Sequence, residues 1–141
     1  MTPHQIKLVR NSWYKLKRMD TIVIGDIFYS KLFLAAPEVQ PLFKSPRLEQ
    51  ANKLITTLSV VVSQLEQLDR LTNAIEQLAI RHVKYGVKPR HYNLVGTALL
   101  WSLEHLLKGD WNESLKEAWS ACYDRLAQSM IRTAYKVQTI K

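Results

Sequence analysis

The chemistry open to this chain rests first on its four histidines, and the pattern around each is different. His4 falls in the first turn of an N-terminal helical pattern and reads as solvated. His91 lies two residues past Pro89, beside Arg90, near another helix start. His105 has apolar neighbours but also Glu104 and Lys108, so half exposure is expected. His82 alone falls on a well-formed apolar face, with Ile75, Leu78, Ala79 and His82 at i, i+3, i+4 and i+7. The ordinary role of such a histidine is a core side chain with a hydrogen-bond partner. The sharper role is that of a ligand. One histidine cannot build a zinc site, which takes three or four protein ligands. It can serve a haem, whose macrocycle supplies four equatorial nitrogens and asks the protein for one axial bond.

Other chemistries find no support. There is no GxxxxGK[ST] phosphate loop, no GxGxxG, no CxxC and no HExxH. CxxCH is absent too, which excludes covalent haem attachment. Nothing marks one of the serines as activated, so a Ser-His-acid arrangement has no basis. The single cysteine, Cys122, excludes an internal disulfide framework and suits a reducing compartment. Between Trp119 and Leu126 it reads as an inert core thiol.

These residues need elements to hold them, and the pattern is helical throughout. Thr2-Pro3-His4-Gln5 reads as a capping box with proline at the first helical position, ahead of Ile6, Val9, Trp13 and Leu16. A second helix carries Ile22, Gly25, Phe28, Tyr29, Leu32, Phe33 and Ala36 and stops near Pro37. Pro37 to Phe43 reads as a short helical turn and Lys44 to Arg47 as a corner. Leu48, Ala51, Leu54, Leu58, Val61 and Leu65 form the next stripe; its β-branched runs favour strand, but the 3-4 spacing is too long-lived for one. Leu71, Ile75, Leu78, Ala79 and His82 continue at helical spacing to a turn at Gly86–Pro89. From Pro89 a helix carries Tyr92, Val95, Leu99, Leu103 and Leu106, with Gly109 as the expected C-cap. Asp110 to Glu113 has capping-box spacing ahead of Leu115, Trp119, Cys122, Leu126, Met130 and Thr133. The expectation is an all-α single domain of seven or eight helices.

The length, 141 residues, suits one domain and needs no staples, since a chain of this size buries about 68–70% of its unfolded surface. No apolar run approaches a membrane span, and the N-terminus has no apolar signal core, so a cytoplasmic location is expected. The formal net charge is +8. Lysine and arginine are spread along the chain and no helix-turn-helix signal appears, so a nucleic-acid partner is not expected. The exception is Arg81 to His91, where Arg81, Lys84, Lys88 and Arg90 stand without an acid.

In order and spacing, Phe28-Tyr29-Ser30-Lys31-Leu32-Phe33, Pro37-Glu38-Val39-Gln40-Pro41-Leu42-Phe43, Arg81-His82-Val83-Lys84-Tyr85-Gly86-Val87-Lys88-Pro89 and Tyr92-Asn93-Leu94-Val95-Gly96 resemble the globin family. The likeness is to bacterial single-domain globins similar to the haem domain of flavohaemoglobins, and it spans residues 1–141. It implies a three-over-three helical sandwich around a non-covalent haem b. His82 resembles the proximal iron ligand, Phe43 the phenylalanine wedged against the haem, and Tyr92 the tyrosine behind the proximal histidine. Tyr29 and Gln50 match the distal tyrosine and glutamine, with Leu54 one turn further along the same face. Lys53 and Val87 fall among the haem-binding positions that the resemblance implies.

On that likeness the chain is expected to bind O2, NO or another diatomic ligand. A ligand that takes on negative charge accepts from the Tyr29 phenol and the Gln50 amide. Such bonds are worth about 1.5–3 kcal/mol each. Two of them slow oxygen release by about two to four decades, at ~1.4 kcal/mol per tenfold. High-affinity oxygen binding, scavenging or nitric oxide detoxification follows, the last with an external reductant, because the chain ends at Lys141 where flavohaemoglobins carry flavin and nicotinamide domains. The glutamate those proteins place on the last helix falls near Ala134, Tyr135 and Lys136, and no acid occurs after Asp124. The basic cluster would pair propionates or dock an acidic reductase such as a ferredoxin or flavodoxin. A haem-based gas or redox sensor acting through a partner protein is the alternative, and a monomer or weak dimer is expected.

Overall fold

The structure, a computed structural model, describes residues 1–68 and 73–140, with side-chain surroundings to residue 133. Among the described residues six α-helices run in order: α1 Pro3–Lys17, α2 Thr21–Ala35, α3 Arg47–Ser63, α4 Asn73–Lys84, α5 Pro89–Leu107 and α6 Glu113–Ile140. A six-residue 3-10 helix, Pro37–Leu42, links α2 to α3 and makes a seventh helical element, with shorter turns at Leu65–Gln67 and Lys108–Asp110. No strand occurs among the described residues. Leu71 lies outside them. No helix among the described residues is long and apolar enough to cross a membrane.

Local chemistry accounts for most helix starts. Thr2 accepts from the Gln5 backbone N–H at 3.1 Å while the Gln5 side chain accepts from Thr2 N–H at 3.0 Å, completing the expected capping box. Asp20 caps α2 through the N–H of Ile22 at 2.8 Å. The β-branched stretch of α3 is helical, as its spacing requires: Ala51, Leu58, Val61 and Val62 are its buried face.

The α5–α6 junction departs from expectation. α5 ends at Leu107 and Lys108, not Gly109, takes the positive φ of 49°. The Trp111 N–H closes back on the Lys108 carbonyl at 3.0 Å, so the chain must reverse at Lys108 and Gly109 merely lies inside the turn. Asp110 does not cap α6 either. It pairs with Lys15 of α1 at 3.1 Å, and Asn112 caps instead, accepting from Leu115 N–H at 2.9 Å.

The layers are set by which faces each helix buries. α2 packs on α3 and α5, while α6 packs on α1, α4 and α5. Trp119, fully buried on α6, donates its indole N–H to Ser12 of α1 at 2.9 Å, so the largest core side chain leaves no polar atom unpaired.

One crossing bears on the site. A Cβ built on Gly25 would stand 2.6 Å from the Ala51 Cβ, so α2 and α3 touch almost backbone to backbone. Tyr29 lies one turn beyond Gly25, and Gln50 adjoins Ala51, so this contact brings those two residues together. Gly25→Ala must push the helices apart. It is expected to destabilise the chain by about 1–3 kcal/mol, the usual range for overpacking, read from urea unfolding midpoints.

Candidate functional site

The first half of the site is built at the end of α4. His82 is half-buried, and its Nδ1 lies 2.8 Å from the Leu78 carbonyl one turn back. A carbonyl can only accept, so Nδ1 carries the proton and the lone pair is left on Nε2. Burial holds the imidazole below its ordinary value, neighbouring Arg81 adds to this, and the Leu78 carbonyl opposes it. The ring is therefore neutral at pH 7 and fit to coordinate a metal.

The backbone at His82 is fastened as firmly as the ring. Gly86 takes φ +86°, its N–H bonds the Val83 carbonyl at 3.0 Å, and the Val87 N–H bonds the His82 carbonyl at 3.1 Å. This is a Schellman termination, in which glycine avoids the Cβ clash of the left-handed region. Val87 thus acts on His82 through the main chain. Two rings flank the imidazole, Tyr92 of α5 at 6.4 Å and 28° and exposed Tyr85 at 6.2 Å and 58°. Burial pushes the Tyr92 phenol up to about 12, so it stays protonated.

His82 also couples stability to pH. Between its lowered value and the ordinary ~6.5, the unfolded chain binds a proton that the folded chain refuses. Its stability contribution is whole above about pH 6.5 and is lost as pH falls through that value. Urea midpoints of the haem-free chain should drop as pH falls below about 6.5, and His82→Gln should flatten that slope.

The second half lies where α2, the 3-10 helix and α3 meet. The Tyr29 ring packs against Phe28 at 5.0 Å, Phe43 at 5.3 Å and Phe33 at 5.8 Å, with Phe33 and Phe43 themselves 5.4 Å apart. The Tyr29 hydroxyl donates to the main-chain carbonyl of Gln50 at 3.1 Å. Burial raises this phenol while the Gln50 side chain works the other way, and the bond to the Gln50 carbonyl keeps the group an O–H donor. Leu54 is half-buried one turn beyond Gln50. Lys53 is exposed on α3, bonded to Ser45 of the corner at 2.9 Å and 3.8 Å from Glu49.

The structure thus gathers the expected residues into two groups, Tyr29, Phe43 and Gln50 in one and His82, Val87 and Tyr92 in the other. Leu42, next to Phe43, comes within 3.5 Å of where a Gly86 Cβ would stand, so the groups adjoin at that corner. Among the described residues no cluster of three or more His, Cys, Asp or Glu could hold a bare metal ion. One neutral histidine with Nε2 available fits a metal that arrives with its other ligands already in place. Ala134, Tyr135 and Lys136, where the last-helix glutamate would fall, lie outside the residues whose side chains are described.

Two histidines settle differently. His105 is exposed and stacks on Trp101 at 5.0 Å. His91 is buried, and its Nδ1 accepts from the Lys88 N–H at 2.9 Å, capping α5. Its place two residues after a proline at the helix start is the signal that could have revealed this role. Tyr123, which donates to the Tyr92 carbonyl at 2.6 Å, carried no sequence signal at all.

Comparison with known proteins gives a consistent answer. The family model described as Globin matches residues 26–130. An uncharacterized globin-like protein of Aquifex aeolicus is 31% identical over 97% of this chain and 96% of its own length. A flavohemoprotein of Vibrio cholerae is 31% identical over 74% of this chain, which spans only 27% of that longer protein. The solved bacterial globin of Campylobacter jejuni superposes with a TM-score of 0.86 at 28% identity, covering 98% of this chain and 99% of that one.

Proposed function

This chain belongs to the globin family, whose members bind haem and through it small diatomic gases, and from that premise we propose that it is a high-affinity oxygen binder able to serve nitric oxide detoxification. His82 would hold the haem iron in this reading. The observation that carries it is the 2.8 Å bond from Nδ1–H to the Leu78 carbonyl, which leaves Nε2 as the sole lone pair of a neutral ring. Haem b, when bound, would supply an iron able to bind the gas. Everything else is done by the polypeptide.

Tyr29 and Gln50 hold the gas in this reading. The Tyr29 phenol keeps its proton and needs only to turn from the Gln50 carbonyl to a ligand that has gained negative charge. The Gln50 amide N–H2 is the second donor. Phe33 and Phe43 wall this side with hydrocarbon, which strengthens any hydrogen bond made there by excluding water. Phe43, Leu54, Tyr92, Val87 and Lys53 would hold the cofactor. Dioxygenation of nitric oxide takes one NO, one O2 and one electron and releases nitrate, so turnover needs an outside reductant. An absorption spectrum after adding haem tests the reading, since a chain that develops no Soret band does not bind haem.

The electron would arrive at the basic face. Arg81, Lys84, Lys88 and Arg90 are all exposed, and none takes part in an ion pair among the described residues. That field suits an acidic one-electron carrier, a small iron–sulfur or flavin protein. Lys84→Glu combined with Lys88→Glu should slow bimolecular reduction by such a carrier about tenfold at low salt. Stopped-flow rates of the two forms should converge at 0.5 M salt, about where the Debye length falls to a few ångströms. Rates insensitive to salt in the unaltered chain would remove the docking face.

A further inference from the structure

The last helix grips the turn of α5 that faces His82 through Tyr123. Tyr123 of α6 donates its hydroxyl to the Tyr92 carbonyl at 2.6 Å. Its ring fills the notch left by Gly96, where a Cβ would stand 2.6 Å from Cε2 and 2.9 Å from Cδ2. Tyr92 and Gly96 are i and i+4, so both anchors act on one helical turn. The Tyr92 carbonyl has two lone pairs, and the Tyr123 hydroxyl takes one alongside the helical bond. The phenol is held above its ordinary range by burial first and by Tyr92 and Asp124 after it, so it remains a donor.

The far end of that turn is the Tyr92 ring, nearly parallel to the His82 imidazole at 6.4 Å. The Leu78 carbonyl fixes one edge of the imidazole, and the Tyr92 ring limits rotation of its face. α4 and α5 both pack on α6, so α6 is the common support of the ligand and of the ring beside it. We propose that Tyr123 is a positioning residue for the His82 side of the site, its hydroxyl on the Tyr92 carbonyl and its ring in the Gly96 notch holding Tyr92 where it orients the imidazole. This rests on the reading of His82 as the axial ligand.

Tyr123→Phe removes the hydroxyl and keeps the ring in its notch. In the haem-loaded protein it should speed haem release about tenfold, the lower end of what an outer partner of a metal ligand contributes, and displace the iron–histidine stretch in the Raman spectrum. In the haem-free chain it should move the ¹⁵N shifts of His82 Nδ1 and Nε2 toward one another as the tautomers mix. Ser12→Ala, which strips the Trp119 indole of its acceptor, is the stability control; it should lower the unfolding midpoint and move none of these signals. If Tyr123→Phe behaves like Ser12→Ala, the proposal is overturned. Should Tyr123→Phe not fold, Tyr92→Leu carries the test, and unchanged His82 nitrogen shifts in it overturn the proposal equally. A wild-type chain with no Soret band would end the axial-ligand reading, while the nitrogen shifts would still decide whether Tyr123 orders His82.

Discussion

His82→Gly should leave a chain that folds but holds haem more than ~100-fold less tightly, beyond the ~10–100-fold that losing an outer partner alone involves. The reason is the economy of the site: among the described residues no group of three or more His, Cys, Asp or Glu could hold a metal in its place. His91 is occupied as a helix cap, and His105 is stacked on Trp101 at the surface. The gap left at residue 82 has the shape of an imidazole, with the Leu78 carbonyl still presenting an acceptor. Free imidazole at millimolar concentration should therefore enter, bond that carbonyl and restore the Soret band. Glycine in the last turn of a helix destabilises by about 1 kcal/mol relative to alanine, so His82→Ala separates folding from ligation. Retention of a wild-type spectrum by either variant without added imidazole would show that another residue ligates the iron.

The second large effect is on release of the gas. A bond from Tyr29 to a charged ligand is worth about 1.5–3 kcal/mol, which alone would slow release by one to two decades. The structure reduces that figure. The phenol already donates to the Gln50 carbonyl at 3.1 Å, and a neutral bond of that kind contributes about 0.5–1.5 kcal/mol. Only the difference between the two bonds, about 1–1.5 kcal/mol, is available to hold the ligand. Tyr29→Phe should accordingly speed oxygen dissociation by about tenfold in stopped-flow displacement, the low end of the one to two decades that an unopposed Tyr29 donor would give. Gln50→Leu should add a separate increment. An unchanged rate in Tyr29→Phe would show that this phenol never leaves the Gln50 carbonyl.

Much of the fold was legible because its signals are short-range. Thr2, Pro3 and Gln5 lie within one turn, so the first cap needs no tertiary context. The apolar stripe of α3 outvoted its β-branched residues because periodicity reports burial, and burial outweighs intrinsic propensity over seventeen residues. The α5–α6 junction departs from its sequence pattern because two local solutions compete there. Asp110 and Asn112 can each cap a helix; Asn112 takes the Leu115 N–H, while Asp110 pairs with Lys15, 95 residues away in the chain.

The site divides along the same line. Sequence by itself determined which residue could ligate, since His82 shares a helical face with Ile75, Leu78 and Ala79, and it determined the family through blocks in a fixed order. It even contained the tautomer, because Leu78 is one turn back on the same helix. What only the tertiary structure decided is everything that crosses between helices: that Gly25 meets Ala51 and so delivers Tyr29 to the Gln50 carbonyl, and that Tyr123 closes on Tyr92 and Gly96 behind His82. Patterns in sequence record the period of one helix, whereas the approach of two helices depends on the side chains that happen to face each other at the crossing.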